Sequence, residues 1–190
     1  MTRFWWLRHG PTHAKHFCGW LDLPADLSDH AAIGRMQALL PDAPVVSSDL
    51  LRARQTADAI AGPRPRLPAL PNLREFHFGE WEGKHWSETA ESHPELSRAY
   101  WESPGDIAPP GGESWNAAAA RVDAAVGGLL ALGHTDLIVV AHMGVILTRL
   151  AQALDEDPET AIGHRIDPLS LTRLAHDGTR WRAELINHIP

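Results

Sequence analysis

Three short, mainly apolar runs in this chain do not alternate with polar residues. They are Phe4–Leu7, Pro44–Ser47 and Asp136–Val140, and the last is the clearest because its branched residues follow one another without a break. A strand with this pattern buries side chains on both faces, which is typical of a parallel sheet covered by helices on each side. The runs therefore predict central strands of such a sheet.

Helical signals lie between and after these runs. Pro41 and a Gly-Pro pair stop the first two helical stretches, and Ser114 can cap the third, which is rich in alanine. The predicted helices are Ser28–Leu40, Leu50–Ala61, Trp115–Leu132 and Gly144–Leu154. Strands that alternate with helices in this way predict an α/β fold, a three-layer α/β/α sandwich with a mostly parallel central sheet.

The C-terminal part of the chain shows a different pattern. Leu169–Leu174 and Arg180–Ile186 flank the turn-like sequence His176–Thr179, which predicts a hairpin. We find no internal repeat and no shift in composition, so residues 1–190 are expected to form a single domain. Ser103–Gly112 is rich in proline and glycine, and we interpret the region around residues 84–114 as a flap over an active site.

Composition excludes several classes of function. The formal charge of −7, from 17 Lys and Arg against 24 Asp and Glu, is unfavourable for binding nucleic acid or an anionic membrane. No apolar segment approaches the roughly 20 residues of a membrane span, and the N-terminus does not resemble a signal peptide. Cys18 is the only cysteine, so no internal disulfide can form. We expect a cytoplasmic protein.

Basic residues follow each of the three predicted strands. Arg8 and His9 follow the first, Arg52 follows the second, and His142 follows the third. Ligands of open α/β sheets bind beyond the carboxyl ends of the strands, so these side chains are expected to meet there. Two guanidinium groups with two imidazoles favour a phosphate dianion, because guanidinium binds phosphate oxygens in pairs.

Five sequence blocks make the chain resemble the histidine phosphatase superfamily, the phosphoglycerate-mutase-like group. They occur in the family's order and at suitable spacing. The blocks are Leu7–Thr12, Ser48–Ala57, Leu73–Gly83, Pro110–Ser114 and Val139–Ile146. Within the superfamily, the layout most resembles the α-ribazole phosphatase and broad-specificity phosphatase branch. The Phe78–Glu82 block, Trp101 and the His164–Asp167 sequence carry this finer resemblance.

The resemblance implies a phosphomonoester hydrolase that acts through phosphohistidine. His9 would be the nucleophile, and Glu75 would protonate the leaving group and then activate water. The phosphate-binding residues implied are Arg8, Thr12, Arg52, His142 and Met143. The reaction would need no metal and no cofactor. The partner would be a small-molecule phosphate ester, possible examples being α-ribazole phosphate and similar metabolites, and the protein would be a monomer or a homodimer.

The first loop departs from the family pattern. Pro11 stands where many members have Glu, and residues 13–16 lack the Asn that often helps to bind phosphate. Lys15 or His16 could replace that Asn. For the acid, Glu80 and Glu82 are rivals of Glu75 within the same block, but only Glu75 fits the family position.

The residues disfavour two other kinds of site. His9, His13 and His16 could form a metal site only on a helix, which Gly10 and Pro11 disfavour. A cysteine phosphatase would need an arginine six positions after Cys18, where Pro24 stands. Two alternatives stay open: phosphoryl transfer of the phosphoglycerate mutase type, and a non-catalytic phospholigand-binding protein on the same fold.

Overall fold

The computed structural model describes all residues from 1 to 190 and contains five strands in one sheet. The strands are β1 (Thr2–Arg8), β2 (Val45–Ser47), β3 (Asp136–Ala141), β4 (Leu171–His176) and β5 (Trp181–His188). Their order across the sheet is β2-β3-β1-β4-β5. Strands β2, β3 and β1 are mutually parallel, β4 is antiparallel to β1, and β5 is antiparallel to β4. The prediction of a mostly parallel sheet is therefore confirmed, with β4 as the one reversed strand.

Helices cover both faces of this sheet. They are α1 (His30–Leu39), α2 (Leu51–Ala61), α3 (Trp86–Ser92), α4 (Pro94–Glu102), α5 (Trp115–Ala131), α6 (Met143–Leu154) and α7 (Pro158–Ala161). The four helices predicted from the sequence are present, with ends that differ by no more than two residues, and Ser114 caps α5 by accepting from the Ala117 N–H at 3.2 Å. No helix combines the length and the apolar character that a membrane crossing requires.

The lack of alternation in the central strands has a direct structural reason. Phe4 and Trp6 of β1 belong to a core of 22 buried residues that includes α5 and α6. Trp5 and Leu7, which point to the opposite face, belong to a second core of 14 buried residues that includes α1 and α2. Since successive strand side chains point to opposite faces, a strand between two cores must be apolar at every position. The three-layer arrangement follows.

The segment expected to be a flap contains two helices that the sequence did not reveal. Helix α3 is short and largely polar, so it lacks the apolar periodicity on which a helix prediction depends. Its N-terminus is capped by His85, whose ring accepts from the Ser87 N–H, while Glu88 accepts from the His85 N–H. Helix α4 begins at Pro94, a favourable first position because proline has no N–H to leave unpaired. The longest loop of the segment is residues 103–114.

Candidate active site

Parallel pairing brings the ends of the three central strands to one edge of the sheet. Arg8 of β1 pairs with Ala141 of β3, and the His9 N–H donates to the Ala141 carbonyl at 3.0 Å. His9 and His142 therefore leave adjacent strands side by side, with ring centroids 5.0 Å apart and ring planes at 60°. Strand β2 ends on the other side of β3, where the Ser48 N–H donates to the Val140 carbonyl. The expected meeting of the strand ends is observed.

The hydrogen bonds of His9 define its tautomer. Its Nδ1 lies 2.7 Å from the Gly10 carbonyl oxygen, which can only accept, so Nδ1 carries the proton. Its Nε2 lies 3.2 Å from Nε of Arg52, which can only donate, so Nε2 is unprotonated and its lone pair accepts this hydrogen bond. Burial lowers the pKa of His9 to about 3, with the positive charges of Arg52 and Arg8 acting in the same direction. A neutral imidazole with an unprotonated Nε2 is the form of histidine that can act as a nucleophile.

The Arg52 side chain is only 1% exposed, and hydrogen bonds hold its guanidinium group in place. Its Nη1 donates to the Leu21 carbonyl at 2.8 Å and its Nη2 to the Gly19 carbonyl at 2.7 Å. Each terminal nitrogen carries two hydrogens, so one on each remains for a ligand. Burial lowers the pKa of Arg52, while the Glu75 carboxylate opposes that effect. The guanidinium remains a cation because its pKa starts so high.

Arg8 and Met143 complete the basic end of the site. The Arg8 guanidinium donates to the Ile166 carbonyl through Nη1, and its buried Nε has no partner. Burial lowers the pKa of Arg8, and the negative charge of Glu75 opposes this. Met143 is the first residue of α6, where backbone N–H groups have no partner within the helix. A helix N-terminus of this kind favours an anion.

His142 is fully buried, and neither of its ring nitrogens has a hydrogen-bond partner. Burial lowers its pKa well below the usual range, and the neighbouring His9 and Arg52 add to the effect. The ring is therefore neutral and keeps one N–H donor unused. Unlike the other predicted site residues, His142 does not line the cleft itself, and its ring lies beside that of His9.

Glu75 lies at the N-terminus of α6. Its Oε1 accepts from the Phe76 N–H at 3.0 Å and from the Gly144 N–H at 3.1 Å. A Cβ atom at position 144 would lie 2.6 Å from this oxygen, so only glycine leaves room for the carboxylate. The rival Glu82 is occupied elsewhere, accepting from the Trp20 N–H at 2.8 Å, and Glu80 is exposed. Of the three acids, Glu75 alone lines the cleft.

The backbone of Glu75 is fixed by residues that the sequence analysis did not identify as part of the site. Arg121 Nη2 and Trp20 Nε1 donate to the Glu75 carbonyl at 2.8 Å and 2.7 Å. Arg121 also forms a paired ion bridge with Glu113, whose Oε2 accepts from the His77 N–H at 3.0 Å. Arg121 lies two turns into α5, and no local pattern marks its role. Glu113, in the Pro110–Ser114 block, therefore helps to hold the segment that carries Glu75.

Thr56 is a second residue that sequence reasoning missed. Its hydroxyl accepts from the Gly10 N–H at 2.9 Å and donates to the Arg52 carbonyl at 2.7 Å. It thereby joins the loop after β1 to helix α2. The one signal available was its position four residues after Arg52, on the same buried face of the helix.

A cleft of about 240 Å³ unites most of the predicted site. The predicted residues that line it are Arg8, His9, Thr12, Arg52, Glu75 and Met143. In the divergent first loop, Ala14 and His16 line the cleft, whereas Lys15 is exposed and does not. His13 instead pairs with Asp26 at 2.7 Å, and no group of three or more His, Cys, Asp or Glu side chains could hold a metal ion.

The two buried histidines are expected to make stability depend on pH. In the unfolded chain a histidine binds a proton with a pKa of about 6.5, whereas His9 and His142 stay neutral well below that pH in the folded protein. The unfolded state then binds more protons, so stability falls as the pH falls below about 6.5, by at most about 1.4 kcal/mol per pH unit for each histidine. Urea unfolding over this acidic range should show the decline.

Asparagine variants test the origin of that decline. The His142→Asn protein should lose stability less steeply with falling pH than the wild type does. His188→Asn, at an exposed position, is the matched control and should keep the wild-type slope. Equal slopes for all three proteins would contradict the assignment of a buried neutral histidine at position 142.

Comparison with known proteins agrees with this geometry. The family model for the histidine phosphatase superfamily (branch 1) matches residues 4–189. The chain belongs to this superfamily. This histidine phosphatase is 30% identical over 161 residues to the adenosylcobalamin/alpha-ribazole phosphatase of Salmonella typhimurium, covering 80% of this chain and 79% of that protein.

Two further relatives of this histidine phosphatase have different names. A metal-independent phosphoserine phosphatase of Arabidopsis thaliana is 40% identical over 117 residues, which are 57% of this chain and 49% of that protein. The structure of a mycobacterial glucosyl-3-phosphoglycerate phosphatase superposes with a TM-score of 0.83 at 28% identity and covers 100% of both chains. The chain is thus similar to phosphatases that are named for three different substrates.

Proposed function

We propose that this protein hydrolyses phosphate monoesters of small molecules through a phosphohistidine formed at Nε2 of His9. The observation that carries the proposal is the state of that nitrogen. It is buried, unprotonated, directed towards Arg52, and located in a cleft that also holds Glu75. A covalent intermediate divides one slow step into two faster ones, which phosphate esters need because they hydrolyse so slowly unaided.

In the first step, the Nε2 lone pair of His9 attacks phosphorus and the ester P–O bond breaks. Glu75 enters this step protonated and gives its proton to the departing alkoxide oxygen. Arg8 and Arg52 lie in the same cleft and can stabilise the charge on the transferring oxygens without rearrangement.

In the second step, the Glu75 carboxylate takes a proton from water, and the water oxygen attacks phosphorus. The Nε2–P bond breaks, its electron pair returns to His9, and inorganic phosphate leaves. Thr12 and Met143 line the cleft and would bind phosphate oxygens. His142 would donate its unused ring N–H to an oxygen that approaches His9.

The remaining parts of the chain fit one histidine phosphatase domain over residues 1–190. Trp101, in helix α4, lines the cleft, which supports the interpretation of residues 84–114 as a flap over the site. The positive charge that phosphoryl transfer requires comes from Arg8 and Arg52, so we expect activity without a metal. The physiological ester would be a metabolite such as α-ribazole phosphate or one of similar size, as in the named relatives.

A panel of phosphate monoesters assayed with a metal chelator tests this function. Steady release of inorganic phosphate that the chelator does not reduce would support it. Isomerisation of phosphoglycerate with little phosphate release would instead show a mutase. If the protein binds phosphorylated ligands but turns none of them over, and His9→Ala behaves identically, it is a binding protein.

Replacing Glu75 with glutamine should affect substrates unequally. Alkyl phosphates have poor leaving groups that need a proton, so kcat should fall about a hundredfold to a thousandfold. The leaving group of p-nitrophenyl phosphate needs no proton, so phosphorylation of His9 should survive while hydrolysis of the intermediate slows. We therefore expect a rapid burst of nitrophenol, about one per enzyme molecule, followed by slow turnover.

The matched control is Glu80→Gln, which changes an exposed acid in the same segment. It should retain wild-type rates on both kinds of ester. Wild-type activity of Glu75→Gln on alkyl phosphates would show that another group supplies the proton.

A further inference from the structure

Beyond the basic end, the cleft is lined by three aromatic side chains, and the ring of one of them packs against the other two. Phe17 packs against Phe78 with ring centroids 4.9 Å apart and lies parallel to Trp101 at 6.1 Å with an angle of 11° between the planes. All three line the cleft that contains His9 and Glu75. We call them the aromatic wall. Trp101 is 37% exposed although large aromatic side chains usually gain from burial.

A narrow apolar slot of about 30 Å³ continues from this cleft on the side of Glu75. It shares Phe78 and Trp101 with the aromatic wall and is closed by groups from α4, α5 and α6, including Tyr100 and Trp115. Burial raises the pKa of Tyr100 well above its usual value, and the negative charges of Glu75 and Glu113 add to the effect. The slot therefore presents a neutral phenol and no positive charge.

The arginine side chains of the cleft are confined to its phosphoryl end. Arg8 and Arg52 are the only lysine or arginine side chains that line it, and both lie beside His9. Lys15, the nearest lysine in the first loop, is exposed and does not line the cleft. A second phosphate or a carboxylate on the substrate would face aromatic rings and Glu75, with no lysine or arginine beside it. Burying such a charge without a partner is costly.

We propose that the alcohol released by this enzyme carries an uncharged aromatic ring that packs against the aromatic wall, with Trp101 as the main determinant of that preference. This inference rests on the proposed function. Aromatic pairs add stabilisation beyond the area that they bury, so a ring should be favoured over an alkyl chain of similar reactivity. A small apolar substituent on the ring could enter the slot towards Tyr100.

Esters with similar leaving groups separate this preference from chemical reactivity. We would compare 2-phenylethyl phosphate, n-propyl phosphate, 3-phosphoglycerate and O-phosphoserine, all of which are esters of aliphatic alcohols. For the wild type, kcat/KM on 2-phenylethyl phosphate should exceed that on n-propyl phosphate about tenfold or more. It should exceed that on the two carboxylate-bearing esters by a larger factor.

Two tryptophan variants locate the effect. Trp101→Ala should lose most of the preference for 2-phenylethyl phosphate over n-propyl phosphate, and Trp101→Phe should restore much of it. Trp86→Ala is the matched control, since Trp86 lies in the neighbouring helix α3, is 59% exposed and does not line the cleft. It should behave as wild type.

The outcomes separate this inference from the proposed function. If all esters are hydrolysed but the aromatic one is not preferred, or if Trp101→Ala keeps the preference, the aromatic subsite is wrong and the hydrolase remains. Preferred hydrolysis of 3-phosphoglycerate or O-phosphoserine would overturn it in the same way. If no ester is hydrolysed and no phosphohistidine forms, the proposed function itself fails.

Discussion

The His9→Ala variant should lose phosphatase activity by a factor of about 10⁴ or more in kcat. Removing the nucleophile of a covalent mechanism leaves only the contribution of binding and electrostatic stabilisation, which is a small part of the total. In the wild type, rapid quenching in alkaline denaturant during turnover of a ³²P-labelled ester should show labelled protein, and the label should be stable in base and lost in acid. The variant should show no such label. The phosphorylation assay and the rate measurement are independent of each other.

Position 9 also needs a control for folding, because its side chain is buried. Circular dichroism and urea unfolding should show that His9→Ala remains folded. The exposed His188→Ala variant should keep full activity and labelling. Turnover at the wild-type rate in His9→Ala, or a label that persists in it, would overturn the assignment of the nucleophile.

The Arg52→Ala variant should lose about a thousandfold or more in kcat/KM. Its guanidinium donates to Nε2 of His9 and has further N–H groups available for the phosphoryl oxygens. Fixed donors of this type stabilise the transition state by several kcal/mol in a site shielded from water. Arg52→Lys should recover little, because an ammonium group cannot reproduce the paired donors of guanidinium. Steady-state kinetics on one alkyl and one aryl phosphate measure both effects.

Arg54 provides the matched control for Arg52. It lies in the same helix two positions away, but it is exposed. Arg54→Ala should therefore change kcat/KM by less than about twofold. Similar losses in the two arginine variants would indicate that α2 contributes through general positive charge, and not through the specific contacts of Arg52 with His9, Gly19 and Leu21.

Contacts between distant segments explain the residues that sequence reasoning did not find. Arg121 and Thr56 act through hydrogen bonds to Glu75 and Gly10, which lie 46 residues away from them in each case. Nothing in the residues adjacent to either one indicates such a partner. Helix α3 was missed for another reason, since its largely polar sequence is stabilised by its cap and by packing on α4.

In the first loop, too, the sequence offered candidates and the tertiary structure decided between them. The sequence offered Lys15 and His16 as substitutes for a missing asparagine, and both are basic residues in a turn. The backbone at His13 has φ of 56°, and its ring pairs with Asp26 on the surface. With the chain in this path, His16 lines the cleft and Lys15 points to solvent. The path of the backbone decides which of the two residues lines the cleft, and the amino-acid composition of the loop does not contain that information.

The sequence by itself determined the layers of this fold and the residues that gather at the strand ends. Continuous apolar strands require cover on both faces, and parallel strands place their C-terminal residues, here Arg8, His9 and His142, at one edge. Tertiary structure alone decided the tautomer of His9, the support of Glu75 and the aromatic wall. These depend on atoms from segments far apart in the chain, which are brought within hydrogen-bonding or packing distance only when the two cores form.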